Sequence, residues 1–349
     1  MKAGNTEMNR FETILLNELS GELWQKYFAM IQDVRRKYYP DIYKPAYTAE
    51  EMKKDWFKYY EAYAGKAFEQ HAIFCGKVPE GWVGALLDSR SAAFNFEANF
   101  DKLPAELVNM NLKKVFEYML KHNLNDIYHW TFEKRKIAAL KAIGAPVIEE
   151  LIDTRLLKSE MDTGFYSNII SSTDVTGYRL EYCETLPDDL WDNYTLLMYD
   201  ILEDYRALNP VKQERKRMEK EDWQLRDKSE KLSGAKMQMY MLLTPGNEIA
   251  AYCSLYVDED NKETIRHSGG FTAVARTHRG RGFAAFLKAK MYLKLLAENP
   301  DFTSIETDTM PWNTHMYRIN ERFGFKPHRF GYEFRLTKQF IENYLGNIE

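Results

Sequence analysis

The sequence repeats itself. Shifted by 167 positions without a gap, Leu19, Leu23, Trp24, Tyr27, Asp33 and Tyr38 fall on Leu186, Leu190, Trp191, Tyr194, Asp200 and Tyr205. The same shift carries Lys53, Asp55 and Trp56 onto Lys220, Asp222 and Trp223. These nine identities between positions 19 and 56 compare with roughly two expected from average residue frequencies. A chain that repeats must build one kind of unit twice. The 349 residues therefore divide into domains 1–174 and 175–349.

The repeat opens on a helix in both copies. Leu23, Tyr27, Met30 and Val34 share one helical face, as do Leu190, Tyr194, Leu197 and Ile201. Pro187, Asp188 and Asp189 supply start signals for the second helix. Charged stretches follow, Tyr43–Lys58 and Lys212–Lys231, which read as solvated helix faces. Strands are expected at Lys236–Leu243, Ile249–Val257 and Thr264–Val274, with turns at Pro245-Gly246-Asn247 and Asp258–Lys262. A helix over Gly282–Leu296, a strand at Ser304–Asp308, a helix over Thr314–Phe323 and a strand at Phe330–Leu336 complete the second copy. The first copy reads alike, with strands at Ala72–Cys75 and Trp82–Leu87 and a helix over Pro104–Lys121. Helices, then a strand meander, then alternating strands and helices is an α+β pattern: two units, each a mixed, mostly antiparallel sheet flanked by helices.

A net charge of −4 gives no reason to expect nucleic acid or an acidic membrane as partner. Apolar runs are strand-sized, and the polar start with Lys2, Asn5 and Glu7 shows no secretory signal. Cys75, Cys183 and Cys253 lack metal-ligand spacing and read as small buried hydrophobes, so no metal is expected. A cytoplasmic protein is expected.

Chemistry concentrates in Phe271–Ala284, where an apolar strand passes through a basic, glycine-containing loop into an amphipathic helix. Glycines let backbone N–H groups converge on an anion, and the helix N-terminus adds about half a positive charge at the same point. Arg279 and Arg281 stand beside it, a build suited to a pyrophosphate. No Gly-Lys-Ser/Thr follows, so this is no Walker loop, and the three spaced glycines of the dinucleotide fingerprint are missing.

The strand ending Thr272-Ala273-Val274, the run Arg279-Gly280-Arg281-Gly282-Phe283-Ala284, and downstream Asn313, a short helix and Gly324-Phe325 resemble the signature of the GNAT acetyltransferase superfamily. The resemblance covers about residues 176–340, and the layout looks like that of tandem members such as the mycothiol synthases. It implies acetyl-CoA as co-substrate. Val274, Ala275 and Arg276 would offer backbone hydrogen bonds to the pantetheine arm and acyl carbonyl. Arg279, Gly280, Arg281, Gly282, Phe283 and Ala284 would hold the pyrophosphate, and Asn313 would contact the pantetheine. The first copy has no such loop: Asn95–Val108 contains no glycine and carries acids. Ala142–Ala145 reads as a relic of Gly324-Phe325, and the N-terminal domain as a degenerate unit without the pyrophosphate loop, either a non-binding scaffold or one wall of the acceptor site.

The resemblance implies N-acetyl transfer to a primary amine of a small acceptor. Many members protonate the departing thiolate with a Tyr four residues before that Gly, where this chain has Asn320. Tyr317, one turn earlier, is the substitute candidate, with water as the fallback. General-base candidates are Glu306 and Asp308, which share a strand face, and His267. Trp312 is placed to line an acceptor cleft or fill a core gap, while His278 and His315 read as surface residues. Two other readings remain open at this stage: a non-catalytic acyl-CoA-binding module, and an acyltransferase using an acyl carrier protein.

Overall fold

The structure, a computed structural model, describes residues 11–39, 47–62, 68–87, 92–208, 218–232, 235–258, 262–267 and 270–347. The polar start, part of each charged stretch and most of the Asp258–Lys262 turn lie outside these residues. Among the described residues no helix is long and apolar enough to cross a membrane.

The first copy runs β1 (Phe11–Leu15), α1 (Gly21–Tyr38), α2 (Ala49–Ala62), β2 (Phe68–Cys75), β3 (Val78–Leu87), β4 (Ala92–Ala98), α3 (Ala105–Lys121), β5 (Asp126–Thr131), α4 (Lys134–Ala142), β6 (Val147–Leu157) and α5 (Thr163–Ser172). The second repeats that order: β7 (Arg179–Cys183), α6 (Trp191–Leu208), α7 (Lys220–Leu232), β8 (Ala235–Leu243), β9 (Ile249–Asp258), β10 (Thr264–Arg266) with β11 (Thr272–Val274), α8 (Phe283–Glu298), β12 (Ser304–Thr309), α9 (Thr314–Arg322), β13 (Lys326–Thr337) and α10 (Lys338–Gly346). The expected helix over Gly282–Leu296 is α8, and the strand expected over Thr264–Val274 is broken into β10 and β11. In chain order, position 174/175 falls between α5 and β7.

Spatial grouping follows a different division. One compact unit is Met1–Glu149 with Gly331–Glu349, the other Glu150–Phe330. In the first, β1-β2-β3-β4-β5-β13 form a sheet that is antiparallel except at β4–β5. Its cores gather Trp24, Tyr27, Phe74, Phe96, Leu107, Met119 and Phe334. In the second, the order is β7-β8-β9-β10-β12-β6, with β11 also on β9 and only β10–β12 parallel. Each unit thus takes its last strand and helix from the other copy: β6 and α5 complete the second unit, and β13 and α10 the first.

Alternation along β9 sorts the two faces of the second sheet. Tyr252 and Tyr256 pack with Trp191, Tyr194 and Trp223 of α6 and α7. Cys253, Leu255 and Val257 face the opposite layer, with Phe283, Phe286, Leu287, Tyr292 and Leu295 of α8. Ala142–Ala145 and Gly324-Phe325 share a backbone form. Ala145 N–H donates to Leu140 O (3.0 Å) and Phe325 N–H to Asn320 O (3.1 Å), the same helix closure in α4 and α9.

Candidate active site

The break between β10 and β11 creates the site. β10 pairs with β12 only through Thr264↔Ser304, Ile265↔Ile305 and Arg266↔Glu306. His267 N–H makes the last bond, to Glu306 O at 2.8 Å. Among the described residues β11 instead pairs only with β9, at Thr272↔Cys253, Ala273↔Tyr252 and Val274↔Ala251. β11 and the end of β12 therefore flank a wedge with His267 at its apex. Gly270 allows the departure, since a Cβ there would meet Ser254 O at 2.2 Å.

The register decides which backbone groups face the wedge. Ala275 N–H donates to Ala250 O (2.9 Å), so Ala275 and Ala273 form the narrow, hydrogen-bonded pairs with β9. Thr272 and Val274 then direct their N–H and C=O away from β9. Val274 O accepts from Arg279 Nε at 3.0 Å on that edge. Ala275 spends its N–H on Ala250, and its C=O already accepts from His278 N–H (2.8 Å), so it has no free N–H to offer pantetheine.

Gly280 and Gly282 both lie in the left-handed region, at φ +78° and +82°. Gly282 is the N-cap of α8, whose first-turn N–H groups open beside the exposed loop; Phe283 is buried below it and Ala284 half-buried. Arg276 and Arg279 bond to one carboxylate, Asp204 on α6, at 2.7 and 2.5 Å. Arg276 approaches Asp200 and Glu203 as well. Arg281 donates to Tyr178 Oη (3.1 Å), which lies 2.9 Å from His278 Nδ1. No residue pattern singles out Asp204, because its role depends on where α6 packs.

On the α8 side, the wedge floor is polar and buried. Lys288, 1% exposed, donates to Asn320 Oδ1 (3.0 Å) and approaches Tyr292 Oη at 3.4 Å. Asn320 Nδ2 donates to Thr309 Oγ1 (3.2 Å). His267 lies between Tyr292 Oη (Nδ1, 3.1 Å) and Thr272 Oγ1 (Nε2, 3.2 Å). Burial holds His267 well below its usual range, with Lys288 adding repulsion, and pushes Lys288 down to about 8. His267 is therefore a neutral, core-bound ring and an unsuitable base for an external amine. Tyr317 is half-buried on α9, one turn before Asn320. Asn313 caps α9, its Oδ1 accepting from Met316 N–H at 3.3 Å.

On the other face, Glu306 is not a free base. Arg155 of β6 donates to its Oε1 (Nε, 2.8 Å), and Arg329 approaches its Oε2 at 3.5 Å. Asp308 stands opposite Asp153 in the β12–β6 register. Asp153 is 1% exposed; its Oδ2 accepts from Arg329 Nε (2.5 Å), and its Oδ1 has no hydrogen-bond partner among the described residues. Burial pushes the Asp153 carboxyl up to about 6; Arg329 opposes that, and Glu306 and Asp308 reinforce it. Asp153 escaped the sequence reading because it belongs to the first copy. Trp312 packs edge-on against Tyr205 of α6, ring centroids 4.5 Å apart.

The corresponding place in the first unit is filled. Arg135, at the start of α4, donates to Ala98 O (3.0 Å), Phe100 O (2.6 Å) and Glu97 Oε1 (2.9 Å). Lys136 adds an ion pair to Glu97 Oε2 at 3.1 Å. These cations tie the end of β4, the counterpart of β11, to the start of α4, the counterpart of α9.

Residues 197–325 match the model of the acetyltransferase (GNAT) family. Comparison with curated proteins finds no match. Among solved structures, a tandem GNAT protein from the clavulanic acid biosynthesis pathway is similar, at 14% identity over 94% of this chain and 98% of that one, with a TM-score of 0.71. A GCN5-related N-acetyltransferase from Sphaerobacter thermophilus shares 12% identity over 95% and 96% of the chains, with a TM-score of 0.58. A probable N-acyltransferase from Enterococcus faecalis V583 shares 10% over 94% and 72%, with a TM-score of 0.53. At such identities the structural likeness speaks for the fold, and the family model for the chemistry of the second copy. Residues 197–325 are thus a GNAT acetyltransferase domain, the part of the chain that makes it an acyltransferase, and the whole chain shares the fold of a tandem GNAT protein.

Proposed function

We propose that the protein transfers an acetyl group from acetyl-CoA to a primary amine of a small, cationic acceptor. The observation that carries this reading is the wedge beside β11, where Val274 turns its backbone outward next to the Gly280–Gly282 turn and the α8 N-terminus. The pantetheine would add to the open edge of β11, with Thr272 and Val274 as backbone partners. The pyrophosphate would take the loop N–H groups and compete with Asp204 for Arg279 and Arg276. The acceptor amine would enter from the face bearing Asp153, Asp308 and Glu306, where carboxylates favour its cationic form. Asp153 would take its proton before or during attack on the thioester carbonyl, and Glu306 with its two arginines would fix the surrounding strands. The filled cleft of the first unit supports one acetyl-CoA per chain. The three cysteines form no disulfide, which suits a reducing compartment, and we place the protein in the cytoplasm.

Calorimetric titration with acetyl-CoA, followed by thiol release over a panel of small amines, tests the reading. One site per chain is expected, with affinity reduced at least about tenfold in Gly282→Glu, where a carboxylate meets the helix N-terminus. Unchanged binding in that variant, or none in the parent protein, would overturn the assignment of the cleft.

A further inference from the structure

Lys288 is the group that the acetyl-transfer reading leaves unused. A buried ammonium is costly unless paired, and among the described residues no carboxylate forms an ion pair with it. Its neighbours are neutral: Asn320 Oδ1 at 3.0 Å and Tyr292 Oη at 3.4 Å. Cys253 and His267 complete the surroundings on the strand side. Burial holds Cys253 above the usual thiol range, so it stays protonated. The cation thus sits under the wedge without an anion of its own.

Position matters as much as charge. Thr272 lies on one side of the wedge and Thr309 on the other, both with side chains toward α8. Lys288 reaches this floor from α8 and is tied through Asn320 to Thr309. An asparagine carboxamide oxygen lies about 3.6 Å from its Cα, and a tyrosine hydroxyl about 6.5 Å. The 3.0 Å bond from Asn320 to Lys288 Nζ extends the reach of position 320 to about that of a tyrosine hydroxyl. The pair Asn320–Lys288 can therefore present a proton donor where a lone Asn cannot.

We propose that the Lys288 ammonium, steadied by Asn320, meets the departing CoA sulfur and protonates it. This rests on the acetyl-CoA reading above. As the acceptor nitrogen bonds to the acetyl carbon, the C–S bond breaks and its electron pair stays on sulfur. A proton passes from Lys288 Nζ to sulfur, giving the free thiol and a neutral lysine that regains its proton from water. With Lys288 at about 8, the donor is mostly charged near neutrality and close in acidity to a thiol, which suits proton transfer. The lysine is a catalytic residue by this assignment, and Asn320 positions it.

The test uses CoA itself, so no acceptor need be known. The ultraviolet absorbance of the thiolate is followed against pH for CoA bound to the parent protein, Lys288→Met and Lys288→Arg. The parent and Lys288→Arg should ionise the bound thiol at least about one pH unit below Lys288→Met, because a nearby cation favours the thiolate. With any amine that the parent acetylates, kcat should fall about 10²-fold or more in both variants, since an arginine holds its proton too tightly to give it. KM for acetyl-CoA should change little. Equal thiol ionisation in the parent and Lys288→Met overturns the inference while leaving the acyl-CoA site standing. Absence of CoA binding in the parent removes the reading beneath it. If Lys288→Met does not fold, Lys288→Arg decides, and full kcat in that variant overturns the proposal.

Discussion

Asp153 carries two opposite pH dependences. Its carboxyl is raised to about 6, chiefly by burial. The folded protein therefore holds this proton more tightly than the unfolded chain. The stability it contributes is present below the ordinary carboxylate value and is lost as pH rises through about 6. Activity runs the other way, because a base must be ionised. Arg329 faces it from β13, Arg155 stands two residues along β6, and Glu306 and Asp308 face it from β12. kcat/KM should climb through about pH 6. Asp153→Asn should remove that limb and cost about 10²-fold or more, with acetyl-CoA affinity retained. A pH–rate profile by thiol release checks this, and an unchanged limb in the variant would sink the role. The strand–loop–helix turn from Val274 to Gly282 was legible in the sequence because a loop motif is local. Lys288 was legible in principle: Lys288, Tyr292 and Leu295 recur at helical spacing, which places a lysine on the buried stripe of α8. Asp153 was not, since no local pattern shows which strand will lie beside β12.

Among elements, α6 shows how far periodicity carries. Its apolar face was read from Leu190, Tyr194, Leu197 and Ile201, and the helix buries that face with Trp191 against Tyr252 and Trp223. Trp191→Ala should lower the unfolding free energy by about 3–5 kcal/mol, the usual cost of emptying a large aromatic site. Urea denaturation measures it. A loss under about 1 kcal/mol would mean that the site collapses or that the ring packs loosely. The division of Thr264–Val274 into β10 and β11 was not legible in the same way. Ser268-Gly269-Gly270 interrupts the side-chain pattern there without showing where the strand goes, and the break depends on Gly270 passing close to the Ser254 carbonyl. The wedge is thus a product of tertiary approach, written in the sequence only as the run Ser268-Gly269-Gly270.

For the whole molecule, duplication was legible and exchange was not. Residue patterns locate strands and helices, but a strand's hydrogen bonds can be made to either copy's sheet when both copies offer similar edges. Here β6 supplies six partners to β12, from Ile152↔Thr309 to Leu157↔Ser304. α5 adds Tyr166 and Ile169 to the core beneath α8. A fragment of residues 175–349 would lack both. It would expose the β12 edge, uncover Tyr292 and Phe323, and lose Asp153 and Arg155 from the site. A fragment of residues 1–174 would lack β13, which covers β5 from Thr131 to Asp126, and α10. Each fragment expressed alone should aggregate. Expressed together, the two should co-purify in a one-to-one complex that binds acetyl-CoA, because each supplies the strand that the other's sheet needs. Size-exclusion chromatography with calorimetric titration reads both outcomes. A soluble, monomeric 175–349 fragment with the full chain's affinity would show that the exchanged strand is dispensable. The acid-bearing β6 would then be an accessory to the acceptor face rather than part of the catalytic unit.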